Sequence, residues 1–345
     1  MSISEVGTFE GHDVQELRIA GACGSAAKIL SYGATLSDLV VPAGKKTRRV
    51  VLGFRSLQGY VNDRSYIGAT VGRCINRIAD GRFTLEGKKY QIPTNGGPGV
   101  HLHGGNKGLS RRVWRVAGQT ENSATFAITS PDGEEGYPGK LDATCTYRID
   151  APGTLTIELT ATCDAPTIAN LGHHSYFTLQ PGSDVRDHRL QVDADFYTPL
   201  NTNLVPNGEI RSVTQTPYDF RNSQVIRTAR GAGHFEGYDI NFVLNQGWLP
   251  ERAAEALPVA ARLTSPAGDL TMELSTSEPG LQFYEGIRLA ETPEDFPGEP
   301  HRPHTGLCLE PQRLPDSINR PHFSKVVLRP GETYRQISRF RFVAA

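Results

Sequence analysis

Short segments in which apolar and polar residues alternate recur along the chain, with Gly- and Pro-rich turns between them. A period of two is the spacing of side chains that share one face of a β-strand. The pattern therefore predicts antiparallel strands with one buried face. The clearest segments are "VQELRI", "KILSYGATLSDLVV", "RRVVLGF", "FTLEGKKYQI", "ATFAITS", "DATCTYRID" and "TLTIELTAT".

The predicted turns and the scarcity of helices also indicate a β protein. A Pro-Gly turn inside "RIDAPGTLTI" predicts a β-hairpin. Helical periodicity is scarce, and the best window, "LPERAAEALPVAARL", is interrupted by Pro258. Because no repeat, linker or low-complexity tract divides the chain, residues 1–345 are predicted to form a single all-β domain with few helices.

Composition supports a globular all-β protein and limits the kinds of partner to expect. Hydrophobic residues make up 38% of the 345 residues, and the 36 glycines and 23 prolines fit a loop-rich globular protein. Lys plus Arg (36) and Asp plus Glu (37) nearly cancel, so neither nucleic acid nor a membrane surface is an expected partner. The start lacks the pattern of a cleaved signal, and the five cysteines show no C-x-x-C spacing. We expect buried thiols in a cytoplasmic protein that is a monomer or homodimer.

Two histidines in "GVHLHGGNKG" are the first candidates for chemistry. His101 and His103 are two residues apart, so an extended backbone would turn both to the same side. A metal site is one reading, but no carboxylate or cysteine pair follows at ligand spacing. A hydrogen-bonding site histidine and a structural loop histidine are the alternatives.

A second pair, His173 and His174, lies in "NLGHHSYFTL". If this segment is extended, His174 shares a face with Tyr176, and His173 points to the opposite side. Only one of the two imidazoles can then reach a given cleft. A lone histidine on a strand is more often structural than catalytic.

A carboxylate, Glu310, ends the apolar run "GLCL" and precedes Pro311, which is expected to end or bend the strand. A carboxylate at the end of a buried strand needs either hydrogen-bond partners or a raised pKa suited to a general base. The alternative is a structural role for this carboxylate, in an ion pair with an arginine. Asp239 in "EGYDINFVL" is a further polar group among apolar neighbours.

Taken together, the motifs resemble those of the aldose 1-epimerase (galactose mutarotase) family. They occur in the family's order and extend over most of the chain: "GRCINRIADGRF", "HLHGG", "HHSYFTL", "GYDINFVL", "EPGLQFYEG" and "GLCLEPQRLPDSIN". The resemblance implies a large antiparallel β-sandwich, called a supersandwich, with a sugar cleft across one sheet. It also implies an enzyme that interconverts the α and β anomers of free aldohexoses such as galactose or glucose, with no cofactor and no metal.

The resemblance assigns roles residue by residue. Glu310 matches the catalytic base and His174 the general acid. Sugar contacts are implied for Asn76, Arg77, His103, Asp239 and Gln282, and Tyr176 either covers an apolar sugar face or packs in the core. The sequence departs from the family pattern at His173, Ile240 and Pro311.

The chemistry explains these residue types. Opening a cyclic hemiacetal removes the proton of the C1 hydroxyl and protonates the ring oxygen, so one base and one acid suffice. Ordinary pKa values of ~4.3 for Glu and ~6.5 for His would leave Glu310 ionised and His174 part-protonated at neutral pH. A nearby carboxylate would favour the imidazolium further.

Three other functions stay open at this stage. A sugar-binding module without catalysis would not need both Glu310 and His174. A glycoside hydrolase would use two carboxylates, for which Glu310 and Asp239 are available. A hexose-phosphate epimerase would need a basic pocket, for which Arg111 and Arg112 are the local candidates.

Overall fold

Most of the alternating segments form β-strands, and most strands pair into three antiparallel sheets. The prediction was wrong for "RRVVLGF", of which only Arg48 and Arg49 are in a strand, and "KILSYGATLSDLVV" is divided by a turn at 31–34. The computed structural model describes residues 2–150, 153–228, 237–247 and 257–345. Strands are numbered in chain order. The five-stranded sheet contains β1 (Ser2–Phe9), β2 (His12–Ala20), β3 (Ala26–Leu30), β4 (Thr35–Ala43) and β5 (Lys46–Arg49).

The other two sheets are larger. The nine-stranded sheet contains, in spatial order, β11 (Arg115–Gln119), β12 (Ser123–Ser130), β13 (Leu141–Asp150), β14 (Thr154–Cys163), β28 (Tyr334–Ala344), β24 (Leu270–Thr276), β23 (Val259–Thr264), β18 (Arg189–Val192) and β21 (Gln224–Val225). The six-stranded sheet contains β17 (Tyr176–Phe177), β26 (Leu307–Gln312), β25 (Gly280–Tyr284), β22 (Asp239–Val243), β19 (Phe196–Thr198) and β20 (Arg211–Ser212).

Four two-stranded ladders complete the strands. They are β6 (Thr70–Val71) with β16 (Gly172–His173), β7 (Arg77–Ala79) with β10 (Val100–Leu102), β8 (Arg82–Leu85) with β9 (Lys88–Gln91), and β15 (Thr167–Ile168) with β27 (Val327–Leu328).

Helices are few, as the sequence predicted. In the described ranges the α-helix is α1 (Leu57–Asn62), and the 3-10 turns are Leu109–Arg111, Glu134–Gly136, Val185–Asp187, Ile226–Thr228 and Ser317–Asn319. The helical window at 249–263 falls partly outside the described residues, and its last part is strand β23. None of the described helices has the length and apolar character needed to span a bilayer.

The sheets stack face to face around one large apolar core, which confirms the all-β sandwich class. Phe177 of the six-stranded sheet and Phe340 of the nine-stranded sheet have ring centroids 5.0 Å apart. Core residues run from Leu17 to Phe342 along the chain and come from all three large sheets. The predicted hairpin is confirmed by the pairing of β13 with β14, from Leu141↔Cys163 to Asp150↔Thr154, and residues 151–152 of its turn lie outside the described residues.

The thiols are less uniformly buried than expected. All five cysteines are free. Cys74, Cys145 and Cys308 are buried, but Cys163 is partly exposed and Cys23 is exposed in the turn after β2. The prediction was wrong for Cys23 because the strand ends before it.

Strand β26 separates core from cleft by simple alternation. Leu307 and Leu309 belong to the main core, so Cys308 and Glu310 project from the opposite face. Pro311 was expected to end or bend this strand; the first alternative was wrong, since β26 continues to Gln312, and a bend stays a prediction. Strand β17 pairs with β26 only at Leu307 and Cys308, so a residue without an N–H is tolerated beyond that point.

Candidate active site

The six-stranded sheet places three polar side chains side by side. In its ladders Glu310 lies opposite Gln282, and Asp239 lies opposite Tyr284. Directly opposed residues share a face of the sheet, so these side chains point into one cleft. Three segments that are distant in sequence therefore meet at one site, as the resemblance implied.

Asp239 is held by two of the predicted sugar-contact residues. The Arg77 guanidinium donates to Asp239 Oδ2 at 3.0 Å, and the Gln282 amide donates to Oδ1 at 2.6 Å. Side-chain exposure is 25% for Asp239 and 11% for Arg77, so the carboxylate is the more open of the two. These two hydrogen bonds hold both carboxylate oxygens of Asp239 in place and so set the direction of the lone pairs that remain on each oxygen. Arg77 thus bonds Asp239, whereas Glu310 feels Arg77 only as a nearby positive charge.

His174 lies at the base of the cleft next to Glu310. The segment around it is not one continuous strand, because β16 and β17 are separate two-residue strands. His174 Nε2 is nevertheless 3.7 Å from Glu310 Oε2, and both side chains are buried. The His174 ring also lies 5.3 Å from the Tyr176 ring. The predicted sharing of one face by His174 and Tyr176 is confirmed.

His173 faces away from the cleft. Its Nε2 is 2.6 Å from Ser175 Oγ, and its Nδ1 is 3.2 Å from the Tyr147 hydroxyl. Burial lowers the pKa of His173 to about 3. The structure thus places the two adjacent imidazoles in different surroundings, one in the cleft and one in the core.

His103 reaches the cleft because the chain turns sharply after β10. Its φ is 49°, a left-handed value, and the Asn76 backbone N–H donates to its Nδ1 at 3.2 Å. A Cβ on the next residue, Gly104, would overlap the Gly72 carbonyl oxygen, so only glycine fits there. Since Nδ1 accepts, Nε2 of the neutral ring must carry the proton. His103 therefore offers an N–H donor 5.1 Å, ring to ring, from His174.

His101 does not join it, contrary to the prediction of two same-facing histidines. Its Nδ1 lies 2.6 Å from the Pro93 carbonyl, and its Nε2 lies 2.6 Å from the Tyr137 hydroxyl. The expected alternation fails because the backbone leaves the extended conformation at His103. Asn76 is buried beside this turn: its backbone N–H donates to the His103 ring Nδ1, and its carbonyl accepts from the His103 backbone N–H.

Tyr176 is almost entirely buried, with 2% exposure, and packs with Leu52, Leu289 and Cys308 in a secondary apolar cluster. This favours the core-packing reading over a sugar-facing ring. Tyr284 is more open and, with Asp239, lines a cavity of ≈ 530 Å³. Glu310 and His174 are not among its lining residues, so this cavity adjoins the pair and does not contain it.

Burial controls the ionisation of the acid and base. It raises the pKa of Glu310 well above its usual range, with Asp239 adding to the effect and Arg77 opposing it. Burial also lowers the pKa of His174 to about 4, and that of His103 well below its ordinary value. Burial therefore shifts both groups toward their neutral forms, which runs against the expectation of an ionised Glu310 beside a part-protonated His174.

Two residues of the site were missed by sequence reasoning. Tyr66 packs its ring 4.7 Å from His103 and 5.9 Å from His174. Cys308 places its sulfur 3.6 Å from His174 Nδ1. The i, i+2 spacing of Cys308 and Glu310 on one strand was a usable signal for the thiol, whereas nothing in the sequence around Tyr66 pointed to the cleft.

One group of possible metal donors occurs among the described residues. Donor atoms of His174, Cys308 and Glu310 lie within 4.8 Å of one another. If His174 and Glu310 act as acid and base, as the resemblance implies, a bound cation would block their proton exchange. The absence of a metal stays a prediction.

Comparisons with known proteins identify the family and the fold. A sequence model described as aldose 1-epimerase matches residues 15–341. The galactose mutarotase of Rattus norvegicus is 39% identical over 320 residues, which cover 92% of this chain and 91% of the relative. The aldose 1-epimerase of Escherichia coli K12 is 34% identical over 343 residues, with 97% of each chain covered. An aldose epimerase homologue from C. elegans has a similar crystal structure, with a TM-score of 0.88 and 31% identity over 96% of this chain and 99% of that one.

Proposed function

This chain belongs to the aldose 1-epimerase family, and we propose that Glu310 and His174 are the base and the acid with which it interconverts the α and β anomers of a free aldose. The names of the relatives, galactose mutarotase and aldose 1-epimerase, support aldohexoses such as galactose or glucose as substrates. One observation carries the assignment: the His174 Nε2 and Glu310 Oε2 atoms are 3.7 Å apart in a buried cleft. The C1 hydroxyl and the ring oxygen are attached to the same carbon, so their acid and base must be close neighbours.

The proton balance explains why a buried pair is suited to this reaction. In the reactive state Glu310 is ionised and His174 is an imidazolium. Glu310 takes the C1 hydroxyl proton while His174 protonates the ring oxygen, and the C1–O5 bond breaks to give the aldehyde. Both groups are then neutral, which is the pair of states that burial favours.

Ring closure reverses these steps on the other face of the aldehyde. The O5 proton returns to His174, and Glu310 gives its proton to the carbonyl oxygen. Hydrogen bonds from sugar hydroxyls are needed to stabilise the ionic state of the pair at the start. Neither a nucleophile nor a transferred group takes part.

The remaining polar groups fit sugar binding. His103 offers a fixed N–H, and Asp239, already oriented by Arg77 and Gln282, accepts hydrogen bonds from hydroxyls. Asn76 supports the His103 turn through its backbone. These contacts would set the position of the ring relative to the acid and base.

The rival functions are less well supported. Asp239 is tied by two hydrogen bonds, which makes it a poor second carboxylate for glycoside hydrolysis. Arg112 is paired with Glu134, and Arg111 donates to the Asp63 carbonyl, so both arginines already have partners, which counts against their forming a phosphate pocket together. A silent sugar-binding module would have no need for a buried acid and base in contact distance.

Polarimetry tests the proposal. Freshly dissolved α-D-galactose or α-D-glucose should reach anomeric equilibrium faster with the wild-type protein, and Glu310→Gln should lose about 100-fold or more of that acceleration. His173→Asn is the matched control, because it changes a neighbouring buried side chain outside the cleft. A folded Glu310→Gln protein with nearly full activity would refute the base assignment, and an inactive wild type would refute the enzymatic role on these sugars.

Three broader expectations accompany this proposal. The continuous core supports a single domain over residues 1–345. Five free thiols support a reducing cytoplasmic location. A monomer or homodimer that needs only its sugar substrate is the simplest assembly consistent with a cleft built from one chain.

A further inference from the structure

His174 has a different neighbour at each ring nitrogen. Nε2 faces the Glu310 carboxyl at 3.7 Å, and Nδ1 faces the Cys308 sulfur at 3.6 Å, within reach of a hydrogen bond to sulfur. Cys308 and Glu310 are two residues apart on β26, so one strand supplies both neighbours. The ring is therefore held between a thiol and the base.

The proton balance of the reaction decides which nitrogen must keep its proton. Nε2 is on the side of Glu310, so it is the nitrogen that exchanges a proton with the sugar. Nδ1 must then stay protonated both before and after the transfer, since a neutral imidazole retains one N–H. A partner that accepts from Nδ1–H throughout the cycle satisfies this requirement.

We propose that Cys308 is a positioning residue whose sulfur accepts a hydrogen bond from His174 Nδ1–H and so fixes Nε2 as the exchanging nitrogen. This inference rests on the proposed roles of His174 and Glu310. Cys308 is fully buried and lies opposite Tyr176 in the β17–β26 ladder, so the sulfur has little freedom to move away.

A thiol in this position differs in its effect from a carboxylate. Burial raises the pKa of Cys308 well above its usual range, so the sulfur stays neutral. A neutral sulfur is a weak acceptor, and it orients the ring without stabilising the imidazolium. In contrast, the buried His301 has a carboxylate, Asp295, at 3.1 Å from its Nδ1, and that charge favours the protonated ring. Cys308 thus leaves His174 a stronger acid than a carboxylate partner would.

The other groups around His174 are consistent with this picture. Burial disfavours a positive His174 ring, whereas a hydrogen bond to the backbone carbonyl of His174 itself and the charge of Asp239 favour it. The charged, titratable or aromatic groups that face His174 are His103, His173, Tyr66, Tyr176, Asp239, Cys308 and Glu310.

Nitrogen NMR on the full chain tests the proposal directly. In protein labelled with ¹⁵N-histidine, the His174 signals are identified by their loss in His174→Gln, and long-range correlations report which nitrogen is protonated. We expect neutral His174 to be protonated at Nδ1 in wild type at pH 7. A wild-type ring protonated at Nε2 would overturn the proposal, whatever the activity of the protein.

Two substitutions separate positioning from packing. Cys308→Ser keeps an acceptor and should retain the Nδ1–H form, whereas Cys308→Ala should shift the ring toward Nε2–H and lower kcat about tenfold with little change in KM. Cys145→Ala, which removes a buried thiol from β13, is the control and should change neither value. If Cys308→Ala leaves both the tautomer and kcat as in wild type, the inference fails. If the wild type is inactive but its ring is protonated at Nδ1, the hydrogen bond stands and the proposed reaction fails.

Discussion

Replacing His173 by asparagine should make the protein less sensitive to acid. His173 is 5% exposed, and burial lowers its pKa to about 3. Between pH ~6.5 and that value, the histidine of the unfolded chain is protonated while the folded one is not. The unfolded state binds more protons in this window, so the free energy of unfolding falls as the pH is lowered.

The size of the effect follows from the gap between the two pKa values. At pH 5 the histidine of the unfolded chain is about 1.5 pH units below its pKa of ~6.5. Its protonation therefore stabilises the unfolded state by ~2 kcal/mol, at 1.36 kcal/mol per unit. His173→Asn removes this contribution. The variant also loses the bonds to Tyr147 and Ser175, so its stability at pH 7 should be lower by about 1–3 kcal/mol.

Urea unfolding followed by circular dichroism at pH 7, 6 and 5 measures both effects. We expect the wild-type free energy of unfolding to fall more steeply with acidification than that of His173→Asn, by ~2 kcal/mol between pH 7 and 5. His12→Asn changes an exposed histidine on β2 and should follow the wild-type curve. Parallel curves for wild type and His173→Asn would show that His173 is protonated in the folded protein, and the argument from burial would be wrong.

Two further outcomes test the site. Burial lowers the pKa of His174 to about 4, so a plot of kcat/KM against pH should show no ionisation step near pH ~6.5. A step there in steady-state rates would mean that a solvated histidine takes part in the reaction. Gly104→Ala should destabilise the fold by more than ~2 kcal/mol in thermal or urea unfolding and abolish activity, since a Cβ would overlap the Gly72 carbonyl oxygen. Gly182→Ala, at a positive φ with open space around it, should cost only about 1 kcal/mol; equal costs would contradict the steric account.

The alternation of polar and apolar residues was enough to predict the all-β class and the long strands β2, β12, β13 and β14, but it did not predict most of the strands that follow β14. It also predicts that His173 and His174 point to opposite sides, because adjacent side chains on a strand lie on opposite faces. The rule fails at His103, where a left-handed φ turns the chain and directs the ring into the cleft. Such a turn depends on close contact with Gly72, a residue distant in sequence, so local periodicity cannot reveal it.

Ionisation was harder to infer than position. Glu310 and His174 were assigned from motifs, but their pKa shifts depend on how much water the folded cleft excludes. Tyr66 was missed for a related reason, since it reaches both histidines from a turn between secondary-structure elements. Residue type and spacing carry little information about such contacts.

The pairing of β25 with β26 also constrains how this protein can change in evolution. Deleting one residue within β26 would bury Glu310 in the core and bring Leu309 into the cleft, because side chains alternate along a strand. The segment 285–306 that joins these strands has no strand register to keep. Its exposed positions, away from the buried Asp295 and His301, can accept a change in length more readily than the strands that carry Gln282 and Glu310, which can vary only by substitution.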